Sequence, residues 1–219
     1  FQRVMAVFLV SLIPLYALAM SLFSAGSTEI KRQIGNSVAN HISLFMGSLE
    51  GELIRIQQQK FTAFEDNNLQ TLSIRAAQAI DYDAVRAMRD LQQRLFAIKN
   101  SSAYVDEVAV HIPATGKVIS SLPRISDYSE ADAVELASLV PFGASPIVFI
   151  GPTPHFVDAS PRARVSSGGQ FAFLFTVRLS TTELRNSIRT LSRNFSGVTT
   201  LLHVPSGYVL SSDRAFEPD

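Results

Sequence analysis

Residues 170–192 read QFAFLFTVRLSTTELRNSIRTLS. Phe171, Phe173, Phe175, Val177 and Leu179 fall on one side of a period-two pattern, and Ala172, Leu174, Thr176 and Arg178 on the other. That alternation predicts a strand over 170–179. Five large side chains on one side predict a core face packed on a helix. Thr181 or Thr182 then caps a helix running to about Arg193, with Leu184, Ile188 and Leu191 at helical spacing. A strand feeding directly into an amphipathic helix sets the class as α+β, and the rest of the chain is read outward from it.

Downstream, 198–204 and 208–211 flank the turn Pro205-Ser206-Gly207 and predict a hairpin. A lone hairpin is marginal in water, so residues 196–219 are expected to begin a second, truncated module. Upstream, Val108, Val110 and Ile112 alternate on one face of a strand over 105–112. Pro113-Ala114-Thr115-Gly116 turns the chain, and 117–121 returns as the second arm of a hairpin. A short helix is expected over 129–139. Residues 141–161 hold five of the ten prolines and are expected to be irregular and surface-exposed, with one short apolar strand at 147–150. Loops carried on a sheet are where ligand contacts usually sit.

The N-terminal half is helical by pattern. No proline occurs over 28–79, and Ile30, Ile34, Val38, Ile42, Phe45, Leu49, Leu53 and Ile56 form one stripe. A stripe this long must bury its face on a domain or on a partner helix. The expectation is a parallel homodimer contact through Ile30, Ile34, Val38 and Ile42, with the stripe from Phe45 onward packing on the sheet. A second apolar set, Phe61, Phe64, Leu69, Leu72 and Ile74, follows, with a break expected at Glu65-Asp66-Asn67-Asn68. Gly47 and Gly51 are spaced four apart and are expected to let a neighbouring element pack closely. Another helix, over 83–99, takes Asp81 or Asp83 as its cap.

Residues 4–23, VMAVFLVSLIPLYALAMSLF, carry no charge. Twenty helical residues span about 30 Å, the thickness of a hydrocarbon core. A transmembrane helix over 1–23 is expected, with the remainder outside the cytoplasm. A cleaved signal peptide is the alternative, since Ala17-Leu18-Ala19 fits a small-x-small processing site.

Composition narrows the function. Lys plus Arg and Asp plus Glu both number 19, so the basic excess of a nucleic-acid binder is missing. Cysteine is absent, which excludes disulfides, thiol catalysis and thiolate metal sites. No P-loop, G-x-G-x-x-G or G-x-S-x-G motif is present. No catalytic residue, cofactor or metal is expected.

The order of elements resembles a Cache-type extracytoplasmic sensor and, more narrowly, the YesM-like sensor histidine kinases of Gram-positive bacteria. The most specific stretch is 171–212, where Leu179-Ser180 with Leu184, Gly207 and Ser211-Ser212 fit the family pattern. The resemblance implies a PAS-like antiparallel sheet beside a long helix, with residues 24–195 as a membrane-distal module. It also implies small-molecule sensing outside the cell, a dimer, and a kinase downstream. A chemoreceptor, a diguanylate cyclase, an AraC-type regulator or a secreted solute-binding protein are the alternative settings. Amino-acid-binding relatives carry an Arg-x-Trp pair and a later Tyr and Asp. This chain has no Trp, and Phe156 stands in the Tyr place of His155-Phe156-Val157-Asp158. Amino-acid binding is therefore not expected. The room left by Ala172 and Thr176 and the forked donor set of Arg178 predict a small polar solute, a carboxylate or a sugar-like compound.

Arg178 ends the smaller face of the 170–179 strand. A buried guanidinium needs a carboxylate partner, either from the protein or from a ligand. Arg124 and Tyr128 follow the first hairpin, where a pocket lid would lie. Arg124, Tyr128, Phe156, Asp158 and Arg178 are the candidate ligand residues, with the ligand between 141–161 and the smaller strand face.

Overall fold

The computed structural model describes residues 2–74, 81–129, 131, 136, 147–160, 171–193 and 197–213, with backbone alone at 2–7 and 9–11. Residues 1–48 form one compact unit and residues 49–219 another.

The first unit is helical and belongs to α1 (Gln2–Phe64), which keeps Pro14 within it. Most of its described large apolar side chains are exposed, Phe23 at 79 % and Ile34 at 56 % among them, while Val38 and Phe45 are partly covered. No helix among the described residues is long and apolar enough to cross a membrane. The expected span over 4–23 falls in part on side chains outside the described residues.

In the second unit the α1 stripe becomes a core face. Leu49, Ile56 and Ala63 are buried. α1 ends where the polar cluster predicts. Asp66 accepts from the backbone N–H groups of Asn68 (2.7 Å) and Leu69 (3.3 Å) and starts α2 (Asn67–Ile74). α3 (Tyr82–Asn100) is capped by Asp81, whose side chain accepts from Ala84 N–H. Ala84, Met88, Leu91 and Leu95 form its buried stripe.

The sheet follows. β1 (Val105–Ile112) joins β2 (Lys117–Ser120) through a 3-10 turn at Pro113–Thr115, closed by Gly116 at φ 65°. β3 (Ile125–Asp127), β4 (Ile147–Ile150), β5 (Thr153–Ala159) and β6 (Leu174–Leu179) complete it. The order is β3-β2-β1-β6-β5-β4, and every neighbouring pair is antiparallel. β6 leads into α4 (Thr181–Ser192). A separate two-stranded hairpin of β7 (Thr200–His203) and β8 (Tyr208–Ser211) follows.

One face of the sheet is the core. Val108, Val110, Ile112, Ile119, Phe156, Phe173, Phe175, Val177 and Leu179 form one buried cluster with Ile56 and Ala63 of α1, Leu69 and Leu72 of α2, and the α3 stripe. Phe64 sets its ring against Phe173 and Phe175, with centroids 5.2 and 5.5 Å away. Burying each large side chain is worth about 1.5–3 kcal/mol, so this helix-covered face holds the unit together.

Four expectations are corrected. Within the stretch expected to be irregular, residues 147–159 are regular: β4 and β5 form a hairpin around Gly151, at φ 57°, while 141–146 and 161 lie outside the described residues. Pro152 and Pro154 conceal the strand in the sequence, yet Pro154 is tolerated because it stands at the strand's start. The β6 alternation begins at Leu174, and Phe171 lies on the other side of the sheet with Val157 and Leu174. The cap of α4 is Ser180, whose hydroxyl accepts from Glu183 N–H, rather than Thr181 or Thr182. Cβ atoms built at Gly47 and Gly51 would each find no atom within 4 Å, so neither serves close packing within this chain. The expected helix over 129–139 lies largely outside the described residues.

The last hairpin packs on the β4–β5 turn. Tyr208 stacks on Phe149, with centroids 4.2 Å apart, and its hydroxyl donates to the Pro152 carbonyl at 2.8 Å. Arg189 of α4 donates through Nε to the Ser212 carbonyl at 2.8 Å.

Candidate functional site

The sheet face opposite the core carries a concavity of about 570 Å³. Its floor comes from β1, β2, β5 and β6, where small and polar side chains alternate with the core residues: Ala109, His111, Ser120, His155, Thr176 and Arg178. Ala109 and Thr176 are direct cross-strand partners, and neither fills the space a Phe would. Arg124, Ser126, Asp127, Ser129 and Leu136 form the side reached by the chain after β2.

A β-bulge gives the floor its charge pattern. Val105 pairs with Leu179 and Glu107 with Arg178, so the register shifts between 105 and 107. Two β1 residues then oppose one on β6. Val105 and Val108 both stay in the core, and Asp106 and Glu107 both reach Arg178. The Arg178 guanidinium lies 3.2 Å from Glu107 through Nη1 and 4.0 Å from Asp106 through Nε. Glu107 also accepts from Ser120 Oγ at 2.5 Å. Both carboxylates thus sit on the guanidinium, and Arg178 still lines the concavity with 41 % of its side chain exposed.

His155 lies directly across from Arg178 on β5. Its Nδ1 is 2.9 Å from the Thr153 carbonyl. A carbonyl only accepts, so Nδ1 carries the proton and Nε2 of the neutral ring is an acceptor. Burial is the main cause that depresses the His155 pKa below the ordinary imidazole value. The Thr153 hydrogen bond opposes it, the Arg178 charge adds to it, and the Glu107 charge opposes it. At the rim, Lys117 pairs with Asp127 at 2.6 Å and holds that exposed carboxyl below its usual range. Arg124 also stands at the rim, exposed, and has no side-chain hydrogen bond or ion pair among the described residues.

Of the five candidate residues, the structure brings Arg124 and Arg178 into one concavity. Tyr128 packs beside it, on the small cluster of Val157, Phe171 and Leu174. Phe156 and Asp158 are on the other face of the sheet, which corrects the expected grouping. Phe156 is 1 % exposed within the core cluster. Asp158 is directly opposite Phe175 and forms an ion pair with Lys60 of α1. The physical reason is the period of two: in β5, residues 156 and 158 share a face that residue 155 does not. The sequence reading does not single out Glu107. Alternation with Val108 puts it on the right face, but only the β1–β6 pairing and its bulge put it beside Arg178.

Among the described residues no group of three or more His, Asp or Glu side chains is placed to hold a metal ion. The concavity offers donors (Arg124, Arg178) and acceptors (Glu107, His155 Nε2).

No family model matches the chain, and no curated protein matches it. Among solved structures, the ligand-binding domain of the Campylobacter jejuni chemoreceptor Tlp3 in complex with 4-methylisoleucine aligns with a TM-score of 0.39 at 11% identity, over 79% of this chain and 73% of that one. The sensory domain of the same chemoreceptor with isoleucine bound aligns with a TM-score of 0.38 at 12% identity, over 80% and 75%. Scores at this level describe a loose likeness of arrangement and bring neither ligand nor output to this chain.

Proposed function

We propose that this chain is the solute-sensing region of a Cache-type receptor, exposed outside the cytoplasm of a bacterium and binding a small polar ligand in the concavity. The observation that carries the reading is the floor itself. A half-buried arginine, held by Glu107 and Asp106, lines an open cavity, a second arginine without an ion pair among the described residues stands at its rim, and the opposite face of the same sheet is a closed core. Cavities of 300–1,000 Å³ with a few convergent polar groups are typical of small-molecule sites. The fork suits a carboxylate, with Arg178 below it, Arg124 above it, and His155 Nε2 ready to accept from a ligand donor.

The N-terminal run over 4–23 supports a membrane anchor, and the family pattern over 171–212 favours a histidine kinase as the output. The exposed stripe of α1 favours a parallel homodimer as the signalling form. Ligand binding would act by favouring one arrangement of the sheet unit, to the extent of its differential affinity for the two states.

The test is a thermal-shift and calorimetric screen of the full chain in detergent micelles against small carboxylates and monosaccharides. A carboxylate ligand is expected, with binding lost in Arg178→Ala and weakened in Arg124→Ala while the melting curve keeps its shape. Binding unchanged in both variants would remove the concavity as the site.

A further inference from the structure

We propose that the ligand is a sugar acid, a polyhydroxylated monocarboxylate, with its carboxylate on the Arg124 side of the concavity and its hydroxyls over the row Glu107, Arg178 and His155. The inference rests on the reading of the concavity as a carboxylate site and deepens it by naming the class of carboxylate.

Glu107 and His155 are the cross-strand partners of Arg178 on its two sides, so one donor group stands between two acceptors. Glu107 lies 3.2 Å from the guanidinium and accepts from Ser120 Oγ at 2.5 Å. His155 Nδ1 is committed to the Thr153 carbonyl at 2.9 Å, and the other tautomer would set two acceptors against each other there. Nε2 is therefore an acceptor, without a partner among the described residues. A carboxylate laid across this row would set its lone pairs against Glu107 and Nε2. A hydroxyl both accepts and donates, so it can take a proton from Arg178 and give one to Nε2. Ser120 and Thr176, the cross-strand partners of Ala109, add two more hydroxyls to the floor beside the row. Arg124 immediately precedes β3, at the edge of the sheet, and has no ion pair among the described residues. β3 and β6 are three strand spacings apart in the sheet order, about 14 Å. A ligand that touches both Arg124 and the row is therefore a chain of several carbons with hydroxyls along it, rather than a compact acid.

Gluconate, sorbitol and hexanoate test this, since they share a carbon count and carry, in turn, hydroxyls with a carboxylate, hydroxyls alone and a carboxylate alone. The full chain in detergent micelles is titrated with each by calorimetry at pH 7.5, with empty micelles as the blank. Gluconate is expected to bind at least about tenfold more tightly than either of the others, the effect of losing one or more hydrogen bonds to charged or buried groups. His155→Phe removes the acceptor and should weaken gluconate about tenfold with hexanoate unmoved. His155→Gln keeps an acceptor oxygen and should recover most of that loss. Arg124→Gln should bring gluconate down to the level of sorbitol and leave sorbitol unchanged. The wild-type ratios decide whether or not the variants fold. Hexanoate bound as tightly as gluconate overturns the proposal and leaves the carboxylate reading standing. Sorbitol bound as tightly as gluconate overturns both. Gluconate affinity unmoved in His155→Phe and Arg124→Gln overturns the assignment to this row and this arginine. If none of the three binds the wild type up to tens of millimolar, the proposal falls, and the screen of small carboxylates decides the wider reading by itself.

Discussion

Lys60 occupies a slot of the α1 stripe that spacing assigns to an apolar side chain, since Leu49, Leu53, Ile56, Lys60 and Ala63 follow one another at helical intervals. It is 4 % exposed, and its ammonium meets Asp158 across 98 residues of chain. It also lies 5.0 Å from the centroid of the Phe61 ring. The two ends of this pair differ in exposure, Asp158 keeping 34 % of its side chain in solvent, and that asymmetry sets the expected mutational costs. Asp158→Asn leaves a buried, uncompensated ammonium and should cost about 3 kcal/mol. Lys60→Met refills the slot with a side chain of similar shape and leaves behind only a half-exposed carboxylate, so about 1 kcal/mol is expected. Urea denaturation of both variants checks the order, and equal costs would contradict it. Ser180→Ala removes the α4 cap and should cost about 1 kcal/mol by the same measurement. His155 supplies a pH signature. Its folded pKa is depressed below the unfolded value, so the unfolded chain binds the proton more readily. Stability is therefore full above the unfolded pKa and declines as pH falls through about 6.5 toward the folded value. His155→Gln should flatten that part of the profile, and an unaltered profile would show that another group is responsible.

At the scale of elements, α1 carries information that the sheet does not. Ile30 and Ile42 are 59 % and 42 % exposed on the stripe of the first unit, and an added methyl at Gly47 or Gly51 meets no atom within 4 Å. In an isolated chain, Gly47→Ala should therefore stabilise the helix by about 1 kcal/mol. In a dimer that uses this face closely, the same substitution should weaken association, so sedimentation and melting measured together separate the two cases. Cysteines at 34 and 38 in the Cys-free background are expected to cross-link symmetrically. Equal cross-linking at 33 and 36 would argue against a defined dimer stripe. The helices and their breaks are legible in the sequence because a 3.6-residue period repeats over many turns. β5 is hidden because two prolines frame its start, and β3 because three residues are too few to show a period.

For the whole molecule, core and concavity lie on opposite faces of one sheet, so binding and stability should separate. Arg178→Ala is expected to abolish carboxylate binding and change stability by less than about 1 kcal/mol, because exposed ion pairs contribute little. Phe175→Ala, in the core on the same strand, should cost about 3–5 kcal/mol. Denaturation and calorimetry on the two variants check the contrast, and a large stability loss in Arg178→Ala would make the arginine structural.

Local pattern in the chain sets the class of each long element and, away from the bulge and the strand ends, the face of each residue within it. Period two along 173–179 separates Phe173, Phe175, Val177 and Leu179 from Leu174, Thr176 and Arg178, and period 3.6 marks the helices. Both are local consequences of backbone geometry. Which strands are neighbours is settled only when the chain folds into one sheet. Arg178 meets Glu107, Asp106 and His155 through pairings between segments far apart in the chain. One extra residue in a bulge sets which carboxylates reach it. Such contacts are fixed when a register is chosen to close the core on the other face, and no local pattern in the chain encodes that choice.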